Sequence, residues 1–126
     1  MKKIIKYLII FVALFLINIS VDAKENDNIT IYLFHGDGCP HCADLIEFLN
    51  SLESEYDFDV EKYEVWYNSS NQEFMEEVKN NLNIKSSGVP LTIIGNTYIV
   101  GYSDSIGNKI ERAIKHYEEN EYIDVV

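Results

Sequence analysis

HGDGCPHCADL, residues 35–45, holds both cysteines of the 126-residue chain and two of its three histidines. Directly before it, Ile29–Phe34 (ITIYLF) is a run of β-branched, aromatic and aliphatic residues with no polar face, which suits a central strand buried on both sides. Directly after Pro40 the period changes. Cys42, Leu45, Ile46, Leu49 and Leu52 recur at intervals of three and four, the stripe of an amphipathic helix. Pro40 falls in the first turn of that helix, where its missing N–H costs nothing. The motif therefore sits where a buried strand turns into a helix, with Gly36 and Gly38 making the turn.

That position has chemical consequences. The free N–H groups and positive dipole end of a helix start stabilise a thiolate, and His41, between the cysteines, adds a positive charge or an N–H hydrogen bond. Cys39 is expected to be exposed and Cys42 partly covered. Stabilising the Cys39 thiolate stabilises the reduced pair, which makes the disulfide the better oxidant. Two blander alternatives stand beside this one. A permanent structural disulfide across so short a loop removes little unfolded-state entropy. A metal clamp has Cys39, His41 and Cys42 as ligands with His35 nearby, but positions i, i+2 and i+3 at a helix start do not readily converge on one tetrahedral ion, and no second ligand pair exists. His35 by itself reads as a strand-end residue.

Outward from the motif, Phe58–Trp66 (FDVEKYEVW) alternates apolar with charged residues as a half-exposed edge strand does. Phe74, Val78 and Leu82 mark a helix over 70–82. After the loop 83–90, Leu91–Ile94 and Thr97–Val100 flank Gly95-Asn96, a two-residue connection that closes an antiparallel hairpin. Ile106, Ile110, Ala113, Ile114 and Tyr117 give a last helix, N-capped by Ser103. The order is βαβαββα. Gly88-Val89-Pro90 precedes the third strand; a cis-proline there would remove an N–H and leave the backbone groups of Val89 facing an incoming peptide.

The N-terminus bears on compartment. Lys2, Lys3 and Lys6, the apolar run Tyr7–Ile19 broken only by Asn18, and Val21-Asp22-Ala23 form a secretory signal with cleavage expected after Ala23; the alternative is a retained membrane anchor. Either places the domain outside the cytoplasm. Residues 24–28 read as a flexible lead-in, 29–120 as one domain and 121–126 as a C-terminal tail. The first 23 residues hold three lysines and Asp22, so the whole-chain charge of −11 becomes −13 on the remaining 103 residues. So acidic a chain repels nucleic acid and anionic lipid.

The element order, the Cys-x-x-Cys at the first strand-to-helix turn and the proline before the third strand resemble the thioredoxin superfamily over residues 29–120. The Cys-Pro-His-Cys wording and the Val-Pro pair look most like DsbA-type disulfide oxidases. The resemblance implies an α/β thioredoxin-like fold with a four-stranded mixed sheet in the order 2-1-3-4. It also implies Cys39 as nucleophile, Cys42 as resolving thiol, Pro40 and His41 as redox tuners, and Val89 and Pro90 as substrate-contacting residues. Two departures are plain. The 23 residues from Tyr67 to Val89 leave no room for the inserted helical domain of DsbA-type enzymes, and Leu33 stands where the superfamily commonly has a buried acid that relays the proton of the resolving thiol. Water, Lys62 or Glu64 would have to serve instead.

The function expected is an extracytoplasmic thiol–disulfide oxidoreductase acting as oxidase or isomerase on cysteine-containing secreted proteins, recharged by an unidentified redox partner. A reductase for a dedicated partner and a non-catalytic copper or zinc chaperone are the alternatives. A monomer without a cofactor or nucleic-acid partner is expected.

Overall fold

The computed structural model describes residues 28–126. The expected signal segment 1–23 and all but the last residue of the lead-in lie outside the described residues. Among those described, no helix is long and apolar enough to cross a membrane. Seven elements follow in the order β1 (Ile29–His35), α1 (Pro40–Leu52), β2 (Phe58–Glu64), α2 (Ser69–Asn81), β3 (Leu91–Ile94), β4 (Thr97–Val100) and α3 (Asp104–Glu119). The four strands form one mixed sheet in the order β2-β1-β3-β4. β1 pairs with β2 in parallel, from Ile29 opposite Phe58 to His35 opposite Glu64. It pairs with β3 antiparallel, and β3 with β4 antiparallel. This is the thioredoxin-like α/β fold.

The two-residue period of a strand divides the core. Ile29, Ile31 and Leu33 pack with Leu45, Leu49 and Leu52 of α1 and Ile110 and Ile114 of α3. Tyr32 and Phe34 face the other way, onto Met75 and Val78 of α2 with Val65, Ile84, Leu91 and Ile93. β1 is thus covered on both faces, which is why it carries no alternating polar residues. Thr92, across from Leu33, is fully buried, and its hydroxyl has no hydrogen-bond partner among the described residues.

Two boundaries differ from those read off the periodicity. β2 ends at Glu64, not Trp66, because the Glu64 carboxylate turns on the chain just ahead and accepts the N–H groups of Trp66, Tyr67 and Asn68. α2 accordingly starts one residue early, with Asn68 as N-cap accepting from Asn71 N–H. At its other end Asn83 takes φ +55°. The N–H groups of Ile84 and Asn83 then bond to the carbonyls of Lys79 and Asn80, the paired bonds of a Schellman stop, with Ile84 buried behind them.

Residues 121–126 form neither helix nor strand, but they pack against the start of β1. Tyr122 is buried in the α1/α3 core and donates its hydroxyl to the Thr30 carbonyl at 2.9 Å. Tyr32 donates to Asp124 at 2.6 Å on the opposite face, and burial together with that carboxylate pushes its phenol well above the usual range. The last residues therefore clamp the start of β1 from both faces. Tyr122→Phe is expected to lose about 1 kcal/mol, the net value of one hydrogen bond. Tyr122→Ala is expected to lose about 3 kcal/mol or more, as for a buried aromatic emptied to a methyl. Urea denaturation checks both, and an unchanged midpoint for the alanine variant would refute the clamp.

Candidate active site

β1 delivers the chain to the reactive turn and α1 receives it. Cys39 N–H bonds back to the Gly36 carbonyl at 3.1 Å, closing the turn, and Gly38 takes φ +82°, a conformation that side chains rarely adopt. Cys39 is the N-cap of α1 and Pro40 its first residue. The Cys39 Sγ fills the place usually held by a Ser or Asp oxygen, accepting the N–H of Cys42 at 3.2 Å. Cys39 and Cys42 are joined as a disulfide with their Cα atoms 5.2 Å apart.

Exposure differs from the expectation at Cys39, which is only 8 % accessible, with Cys42 at 1 %. The helix cap explains it: bonding to Cys42 and accepting its N–H both draw the Cys39 sulfur in over the helix end. Both cysteines nevertheless line a shallow opening shared with His35, Gly36, Asp37, Gly38, Pro40, Ala43 and Ile46, which leaves the disulfide approachable from solvent. Pro40 and His41 are exposed beside it. His35 is half-buried at the end of β1, where its carbonyl accepts Val65 N–H at 2.8 Å.

Pro90 is almost fully buried behind a cis Val89–Pro90 peptide, and its carbonyl accepts Gly101 N–H at 2.8 Å. Leu91 lies opposite Phe34 in the sheet. That register brings Pro90 to the level of His35, at the end of the sheet from which the cysteine turn springs, while Val89 is half-buried.

Leu33 is fully buried among aliphatic side chains, so β1 offers the Cys42 thiol no carboxyl. Of the two substitutes read from the sequence, Lys62 stands opposite Leu33 on the edge strand and lines a groove against α1 that includes Ile46, which also borders the cysteine opening. Glu64 is engaged otherwise. Partial desolvation would raise its pKa, but backbone N–H groups of Tyr67, Trp66, Asp37 and Asn68 outweigh that and hold it below its ordinary 4.5. The bond from Asp37, 3.3 Å long, ties the β2–α2 corner to the cysteine turn. A carboxylate held anionic in this way is a clasp and not a proton shuttle.

One contributor escapes sequence reasoning. Trp66 reads as the last residue of a strand, yet its indole lies on Gly36, where any Cβ would collide with the ring. The signal available was the second half of a pair: a glycine in the turn and a large aromatic just past the neighbouring strand. Among the described residues no three His, Cys, Asp or Glu side chains come together as a metal site.

A disulfide capping the first helix of a 2-1-3-4 mixed sheet defines a thiol–disulfide oxidoreductase of the thioredoxin superfamily. More narrowly, the glutaredoxin family model matches residues 29–99, more than half of the chain, and the chain belongs to the glutaredoxin family. Among solved structures, a crystal structure of a glutaredoxin from Archaeoglobus fulgidus is similar at 23% identity and a TM-score of 0.49, over 65% of this chain and 85% of that one. None of the curated proteins matches. The Cys-Pro-His-Cys wording and the Val-Pro pair resemble DsbA-type oxidases, and within the same superfamily the family model that matches is that of glutaredoxins.

Because the folded pKa of Glu64 is depressed, the stability it adds is present above its ordinary value and lost as pH falls through the folded one. Glu64→Gln is expected to lose less stability than the wild type on acidification below about pH 4.5. Denaturant titrations between about pH 7 and about pH 3 test this, and parallel losses in the two proteins would refute it.

Proposed function

We propose that the protein is an extracytoplasmic oxidoreductase that passes its Cys39–Cys42 disulfide to cysteine-containing secreted proteins, acting as oxidase or isomerase. The observation that carries the direction is the Cys42 N–H on the Cys39 sulfur at the start of α1. A backbone donor and the positive end of a helix dipole favour sulfur that is negatively charged, and so favour the reduced state in which Cys39 is a thiolate. A stabilised reduced state makes the disulfide ready to leave. The compartment follows from the lysines, apolar run and Val21-Asp22-Ala23 of the first 23 residues.

Transfer runs in two exchanges. A substrate thiolate enters the shallow opening and attacks the Cys39 Sγ; the bond to Cys42 breaks, and the Cys42 sulfur leaves with the electron pair and takes a proton from water. A second substrate thiolate then attacks the substrate sulfur of the mixed disulfide and releases Cys39 as a thiolate, capped again by Cys42 N–H. Two electrons pass from substrate to protein, and a further disulfide or other thiol oxidant must take them to restore Cys39–Cys42. Val89, with Pro90 buried behind it, offers backbone groups to the substrate segment at the same end of the sheet. Proton exchange at Cys42 runs through water or Lys62, since Leu33 has no proton to give.

Equilibration of the couple with glutathione tests the direction. A potential as low as the roughly −270 mV of thioredoxin would assign reduction of a dedicated partner instead. Cys42→Ser is expected to leave Cys39 trapped in mixed disulfides with reduced secreted proteins, seen as adducts on non-reducing gels; their absence would sink the nucleophile assignment. His41→Pro is expected to make the couple more reducing by about 30 mV or more, since that much corresponds to about 1.4 kcal/mol of thiolate stabilisation. An unchanged or more oxidising couple would remove His41 from the tuning role.

A further inference from the structure

Trp66 is the single tryptophan of the chain and stands 52 % exposed, with Tyr67 beside it at 81 %. Neither is loose at the backbone. The Glu64 carboxylate holds their N–H groups at 2.8 and 3.0 Å and, through Asp37 N–H, holds the cysteine turn as well. The indole rests on Gly36, whose carbonyl accepts the N–H of Cys39. The Trp66 indole is thus held one tight turn away from the disulfide, with the Tyr67 ring exposed beside it. A side chain already immobilised loses little freedom when a partner covers it, which suits it to binding.

Charge says what kind of partner. The shelf is flanked by Asp37 and Glu64, and α2, which starts just past Tyr67, carries Glu73, Glu76 and Glu77 on an exposed face. Residues 28–126 hold 18 carboxylates against six lysines and arginines, and Lys79 on α2 is paired with Glu76 at 2.7 Å. An indole face bordered by carboxylates attracts a cation twice, through the ring quadrupole and through the surrounding field. It is a poor surface for an anionic thiol.

We infer that Trp66 and Tyr67 form a docking shelf that selects substrate segments carrying lysine or arginine next to the reacting cysteine. The inference rests on the oxidase reading above and deepens it by naming the substrate class. The cationic side chain lies on the indole while its neighbouring thiolate reaches Cys39. Two electrons then pass from the substrate dithiol to Cys39–Cys42, so one equivalent of oxidised protein is the oxidant.

Single-turnover oxidation by the full chain tests it, with two-cysteine peptides that differ only in lysine or glutamate beside each cysteine, acid quenching and mass detection. Preferences are taken beyond the intrinsic difference shown by a small neutral disulfide. The lysine peptide is expected to react about tenfold faster, with the preference shrinking in high salt. Trp66→Ala is expected to cut the lysine-over-glutamate preference about fivefold, whatever its effect on the absolute rates, and Trp66→Phe to keep most of that preference. Tyr67→Ala, at a site too exposed to affect folding, is expected to lose about twofold on the lysine peptide alone. Equal rates for the two peptides, or a preference that survives Trp66→Ala and Tyr67→Ala, would overturn the shelf while leaving the oxidase reading in place. Failure to oxidise any thiol, dithiothreitol included, would overturn both.

Discussion

The bond on which the rest of the structure depends runs from Cys42 N–H to Cys39 Sγ. A helix start leaves N–H groups without partners, and most helices satisfy one with a side-chain oxygen. Here sulfur does it. Sulfur in a disulfide is a weak acceptor and a thiolate a strong one, so the same contact is a modest cap in one redox state and a strong one in the other. The cap therefore couples the first turn of α1 to the oxidation state of the pair. For the coupling to hold, the helix end must not drift, and the buried stripe Leu45, Leu49 and Leu52 anchors α1 to the sheet while the tight turn at Gly36–Cys39 anchors it to β1.

The Glu64 clasp supplies the lateral support. Four backbone N–H groups converge on one carboxylate, three from the β2–α2 corner and one from the cysteine turn. Loops at the carboxyl ends of parallel strands carry function because they need not serve the sheet, but they then require some other constraint to keep their shape. An ionised side chain bonded to backbone provides it without occupying the space above the disulfide. The indole of Trp66 completes the corner from outside, and a glycine at 36 is the condition for its approach.

Much of this was legible in the chain. β1 announced itself because burial on both faces removes the need for polar residues, and the β3–β4 hairpin matches its reading residue for residue. α1 and α3 were legible through three-and-four spacing and through Pro40 and Ser103 at their starts, where Ser103 does accept Ile106 N–H. What failed to show were side chains acting over distance. The end of β2 depends on where a carboxylate bends, and periodicity is blind to that. The burial of Cys39 depends on a covalent bond and a cap acting on one sulfur atom, whereas spacing reports only which side of the helix a residue occupies. Trp66 fits an alternating pattern and was absorbed into it, although its partner is a glycine 30 positions earlier.

The clamp formed by the last residues also affects the order of events in the life of the chain. Tyr122 and Asp124 each reach a β1 residue 92 positions earlier, and the first of them fills part of the α1/α3 core. The surroundings of the first strand are thus complete only once residues 122–124 have been made. Until then the growing chain carries an open seam beside β1. A domain whose first strand is held by residues 92 positions further on gains its full packing in one late step, with both faces of that strand secured together.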